Sequence, residues 1–193
     1  MSGKFQPINR DTAYLLPPSL QDWLPEKHLA RFVVDVVDQL DLSELVKSYG
    51  GGGKQPYHPA LLLGLLFYGY ATGTFSSRKL EQATYDSVAF RFITGDTQPD
   101  HDTIATFRKR FLPELEGLFV QMLVVAKVMG VFKLGKVSLD GTKIKANASK
   151  HKAMSWGYAN KLEEQLRNEV RELLKRAELA DAEDAPEIDI PDE

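Results

Sequence analysis

A chain of 193 residues, 43% hydrophobic and 26% charged, has the makeup of an ordinary folded protein, long enough for one sizeable core. No run nears the ~18 uncharged apolar residues that a membrane helix needs, and no basic stretch followed by an apolar core marks a signal peptide. The absence of cysteine excludes disulfides and thiolate metal sites and fits a cytosolic protein, while the net charge of −3 conceals an acidic tail: residues 161–193 carry 5 Lys and Arg against 12 Asp and Glu, leaving a mildly basic body.

Residues 1–25 are rich in proline and polar groups and read as an extended arm, with Leu15, Leu16, Leu20 and Trp23 available to dock on the core. From Glu26 to Leu40 the residues Leu29, Phe32, Val33, Val36, Val37 and Leu40 recur at helical spacing, and a short helix over Ser43–Ser48 follows. Gly50 to Gly53 then force a flexible loop before Lys54. It is not a phosphate loop of the P-loop kind, because Ser48 stands where the first glycine is needed and Gln55 where Ser or Thr is needed.

The run from Pro59 to Tyr70 is apolar nearly all round, which predicts a central helix, with Pro59 in its first turn and Gly64 and Gly69 permitting close approach of neighbours. Ser76 caps the next predicted helix, which carries Arg78 and Lys79. Helices over Asp86–Ile93 and Asp102–Phe111 follow, separated by a polar loop. The last of these places Ile104, Phe107 and Phe111 on one face and ends in Arg108, Lys109 and Arg110. Short helices, a polar turn and a basic last helix have the outline of a helix-turn-helix unit, in which such cations meet DNA phosphates. The same cations also complement a helix C-terminus. His101 lies between Asp100 and Asp102, but neighbouring residues in a cap point different ways, so no metal site is read there.

Pro113 marks a fresh helix start, and the apolar pattern continues to Met129. After Gly130 and Gly135 the period changes. Residues 136–140 and 142–146 alternate polar and apolar around Asp140-Gly141, as the strands of a hairpin do. Tyr158–Ala180 returns to a helical stripe of Leu162, Leu166, Val170, Leu173 and Leu174, a helix with little predicted to pack against and a short candidate coiled-coil face. Residues 181–193 are acidic, contain Pro186 and Pro191, and are expected to be disordered.

Four stretches, taken in order, carry a resemblance: His58-Pro59-Ala60-Leu61-Leu62-Leu63 leading to Tyr70; Ser76-Ser77-Arg78-Lys79-Leu80-Glu81; Phe90-Arg91-Phe92-Ile93 through Pro99-Asp100-His101-Asp102-Thr103-Ile104 to Phe107-Arg108; and the run from Val137 to Ser149, VSLDGTKIKANAS. The chain resembles the N-terminal half of insertion-sequence transposases of the DDE type, in which a helical domain precedes an RNase H-like catalytic domain. The resemblance implies a mainly α protein. Residues 26–130 form a helical DNA-binding domain, 131–180 the incomplete start of the RNase H-like domain, and 181–193 a disordered tail.

It also implies that Asp140 is the first of three catalytic carboxylates and a Mg²⁺ ligand, since hard cations in two-metal phosphodiester chemistry want oxygen donors. Arg78, Lys79, Arg108, Lys109, Arg110, Lys143, Lys145, Lys150, His151 and Lys152 become candidate DNA contacts. The partner is double-stranded DNA of the terminal inverted repeats, with itself or a full-length transposase as a possible protein partner, no membrane, and a cytoplasmic, nucleoid-associated setting. The second Asp and the Glu of the triad have no counterpart after Asp140, where the carboxylates fall on a surface helix and in the tail. The expectation is therefore a truncated transposase part that binds DNA and has no strand-transfer activity alone, with Mg²⁺ held weakly. The alternative is a helical regulatory protein that binds transposon ends or forms inactive mixed oligomers.

Overall fold

The computed structural model describes residues 19–49, 56–128 and 156–184, which form helices joined by turns with no strand among them. The mainly helical expectation holds for these residues. The arm before residue 19, the glycine loop at 50–53, the hairpin around Asp140 and the tail from residue 185 lie outside them.

Most helices start where a side chain accepts an amide proton that the first turn leaves without a partner. Ser19 and Asp22 form a reciprocal capping box on α1 (Leu20–Trp23). His28 and His58 cap α2 (Leu29–Val37) and α4 (Pro59–Ala71) through Nδ1, which accepts from the amides of Ala30 and Ala60 at 3.1 and 3.2 Å. Asp41 accepts from the Ser43 amide at the head of α3 (Ser43–Lys47), and this bond holds its carboxyl below the ordinary range. Ser76 caps α5 (Ser77–Asp86). Asp100 caps α7 (His101–Arg110), accepting from the Thr103 amide at 2.7 Å.

Between them, α6 (Val88–Thr94) begins two residues later than the sequence suggested, because Ser87 is extended and breaks the chain direction. Gly95, at φ +58°, closes it. Pro113 sits in the first turn of α8 (Leu112–Val128), so α7 and α8 are separate helices, as expected.

Helix α4 is the axis of the bundle, with Leu62, Leu63, Leu65 and Leu66 buried and α2, α5 and α6 packed around it. Gly69 allows α5 its close approach: a Cβ there would lie 2.2 Å from Leu80 Cδ2 and 3.1 Å from the Thr74 carbonyl. Edge-on rings add directional packing, with Phe67 against Phe119 at 5.4 Å and Tyr68 against Phe90 at 5.0 Å between centroids.

Three expectations change. The segment before residue 26 is not wholly an extended arm: α1 packs on α6, Leu24 is buried, and Trp23 is left 45% exposed. The last helix, α9 (Trp156–Glu183), has a partner, because Val170, Leu174 and Ala177 are buried and its main contact is α8. Leu166, Val170, Leu173 and Leu174 of its apolar stripe are thereby used within the chain, and Glu116 of α8 reinforces the pair through Arg167 at 3.5 Å and Arg171 at 2.9 Å. Finally, residues 181–183, placed in the disordered tail by composition, continue this helix. Among the described residues no helix is long and apolar enough to cross a membrane.

Candidate nucleic-acid interface

The start of α5 and the last turn of α7 meet at one end of the bundle, and the end of α9 lies across them. In α7, Ile104 and Phe107 face the core and Arg108 follows directly, at the edge of the apolar stripe. Its aliphatic stem runs inward and its guanidinium finds polar partners there. Arg108 is 2% exposed; one nitrogen donates to Asp181 of α9 and the other to the Tyr70 hydroxyl at 3.4 Å. Burial pushes the Tyr70 phenol up to about 12.

Asp181 completes the junction. Its carboxylate accepts from the Ser77 amide at 2.5 Å and from the Ser77 hydroxyl at 2.9 Å, capping α5 from a distant helix. One turn further along, Asp184 lies 3.2 Å from the Lys79 ammonium, and hydrogen bonds from Ser76 and Lys79 hold its carboxyl below the ordinary range. The site thus combines a helix N-terminus, a hydroxyl, a guanidinium and an ammonium, a donor set suited to anionic oxygens.

The candidate DNA contacts fall into groups. Arg78 and Lys109 are exposed. Lys79 is exposed but engaged by Asp184. Arg110 is exposed and lies flat, 4.9 Å over the Tyr49 ring and 5.0 Å over that of Phe111, donating to the Ser48 carbonyl at 2.6 Å. Arg108 differs from the rest: it faces inward and is paired, so phosphate reaches it only if the end of α9 moves away. Asp140, Lys143, Lys145, Lys150, His151 and Lys152 lie outside the described residues.

His101 is tied to α5. Glu81 accepts from its amide at 3.1 Å and lies 2.6 Å from its Nδ1, while the exposed Asp102 carboxylate lies 3.7 Å from its Nε2. Among the described residues no group of three His, Asp or Glu is placed to hold a metal. They offer Mg²⁺ no fitting donor cluster. The sequence marks Ser77 and Tyr70 only as part of the resemblance and Asp181 only as part of the tail, none of them as a site residue; the one available signal was the opposition of an acidic tail and a basic body.

A helical domain with a basic end is the class these residues define. A family model described as a transposase domain (DUF772) matches residues 18–110, from just before α1 to the end of α7. The matched segment, just under half of the chain, supports a transposase-family protein. No curated protein and no solved structure matches the chain.

Proposed function

We propose that the chain is the DNA-binding part of a transposase that acts in the transposition of an insertion sequence, with double-stranded terminal-repeat DNA as its ligand. The observation that carries this reading is the transposase-domain match over residues 18–110, at whose basic end Arg78, Lys79, Lys109 and Arg110 reach the surface. Exposed cations at helix ends supply the phosphate contacts that set register and affinity. In this reading α5, α6 and α7 act as a helix-turn-helix-like unit.

In this reading the segment around Asp140, ahead of α9, opens an RNase H-like domain in which Asp140 is a Mg²⁺-binding carboxylate, and Lys143, Lys145, Lys150, His151 and Lys152 contact the phosphate backbone. Asp140→Asn should leave DNA binding intact and abolish Mg²⁺-dependent strand cleavage in a complex that supplies the remaining carboxylates. Cleavage at the unaltered rate would remove Asp140 from that role.

The decisive measurement is a gel-shift titration of terminal-repeat DNA against scrambled DNA of equal length over a range of salt. Binding to the repeat is expected to be roughly a thousandfold tighter, with affinity falling steeply as salt rises. Equal affinity for both DNAs would overturn end recognition, and no binding to either would overturn the DNA reading.

A further inference from the structure

We infer that the end of α9 is an internal competitor for DNA: Asp181 and Asp184 occupy the anion-binding groups at the start of α5 and keep that surface closed until nucleic acid displaces them. The inference rests on the DNA-binding reading above and adds its regulation.

The contacts have the chemistry of a phosphate site already filled. Asp181 takes the first-turn amide and the hydroxyl of Ser77 together with the guanidinium of Arg108, and Asp184 takes the ammonium of Lys79. A backbone phosphate of DNA presents the same charge and more acceptor oxygens to the same donors. Exchanging carboxylate for phosphate therefore leaves no donor stranded. Opening into water alone would strip Arg108 of its ionic partner.

Helix α9 is also built so that only its end needs to move. Its apolar docking stops at Ala177, the last of the fully buried positions Val170, Leu174 and Ala177. Beyond it Glu178, Leu179, Ala182 and Glu183 are exposed, and Leu179 is 57% accessible. Asp181 and Asp184 hold this end to the body through polar contacts. A terminal segment held by a few polar contacts, next to one anchored by apolar burial, is the part of a helix that opens locally at low cost. The arrangement also gives part of the charge asymmetry a place in the fold, because Asp181 and Asp184 of the acidic C-terminal region lie against basic and donor groups of the body.

The test measures binding of fluorescently labelled terminal-repeat DNA to the full chain by anisotropy. The wild type is compared with Asp181→Asn/Asp184→Asn and with Glu164→Gln/Glu172→Gln, whose sites are exposed on α9 and which changes net charge equally. Removing the competitor raises the fraction of binding-competent protein, so the first variant should bind about tenfold tighter. Its affinity should also fall more steeply with salt, because in the wild type salt loosens the internal contact and the DNA contact together. The control variant should stay within about twofold of the wild type, as expected for distant screened charges.

An unchanged affinity in the first variant, or an equal gain in the control, overturns the competitor. If circular dichroism shows the double variant unfolded, Asp184→Asn alone carries the test, because its Lys79 pair is near the surface; a gain of about threefold is then expected, and no gain overturns the inference. Failure of every protein to bind DNA, wild type included, overturns the DNA reading itself. Binding by the wild type that neither variant improves overturns the competitor alone.

Discussion

The guanidinium of Arg108 in α7 donates to the carboxylate of Asp181 in α9, 73 residues away, and each partner holds a further helix. Arg108 reaches Tyr70 of α4, and Asp181 reaches Ser77 of α5, so one ion pair ties four helices together. A double-mutant cycle over Arg108→Met and Asp181→Asn, followed by urea unfolding, should return a coupling of about 1 kcal/mol, since the two groups touch and share partners. The coupling should shrink in high salt to the extent that water reaches the pair. A coupling near zero would mean that the pair contributes nothing to holding α9.

Tyr70 makes stability fall at high pH. Its phenol is raised by burial from 10.0 to about 12. Above pH 10 the unfolded chain loses this proton while the folded chain keeps it, so stability is full below pH 10, declines up to about pH 12, and levels off beyond. A tenfold difference in acidity between the folded and unfolded chain corresponds to about 1.4 kcal/mol. Urea unfolding from pH 9 to 12 should therefore show a shallower decline in Tyr70→Phe than in the wild type. Tyr49 and Tyr68, also shifted upward by burial, are present in both proteins, so the difference isolates Tyr70.

The two glycines of α4 should differ in tolerance. A Cβ at Gly69 would lie 2.2 Å from Leu80 Cδ2 and 3.1 Å from a backbone oxygen, whereas one at Gly64 would meet Ile93 Cγ2 at 3.2 Å. Gly69→Ala forces α5 outward or Leu80 off its rotamer and is expected to destabilise by about 2 kcal/mol. Gly64→Ala asks only a small shift of Ile93 and gains helix propensity, so it should stay within about 0.5 kcal/mol of the wild type. Thermal unfolding of the two variants checks the order.

Glu81 should matter for stability without touching DNA. Its carboxylate takes both the amide and the ring nitrogen of His101 and so fastens the head of α7 to α5. Glu81→Ala leaves the His101 amide without that acceptor and is expected to cost about 1 kcal/mol in urea unfolding. Salt dependence of DNA binding by this variant should match the wild type.

Arg78→Ala and Lys109→Ala should each weaken DNA binding and lower the log–log salt slope by about 1, the signature of one lost phosphate contact. Arg110→Ala should lower thermal stability as well, because Arg110 also covers Tyr49 and holds the Ser48 carbonyl. An unchanged slope for Lys109→Ala would place the DNA on another face of the bundle.

Much of the helical body can be read in one dimension. Apolar spacing marks α2 and α8, and an apolar run without polar relief marks α4 as the buried axis. Pro59, Ser76 and Asp100 announce helix starts, and Pro113 divides α7 from α8. These are local properties, settled by capping chemistry and the helical period within a few residues. The outward position of Lys109 follows from the same period.

The inward turn of Arg108, the docking of α9 on α8 and the folding back of Asp181 onto Ser77 do not follow from it. Spacing tells which residues share a face, not which distant element covers that face. A flexible arginine at the edge of an apolar stripe can turn either way, and the presence of a carboxylate from a helix 73 positions along the chain settles its direction. Composition likewise marks residues 181–184 as acidic and unstructured, but a helix anchored by Val170, Leu174 and Ala177 carries its end to a place on the body where those carboxylates find donors. That pairing depends on long-range burial and electrostatics, which exist only once the chain has folded.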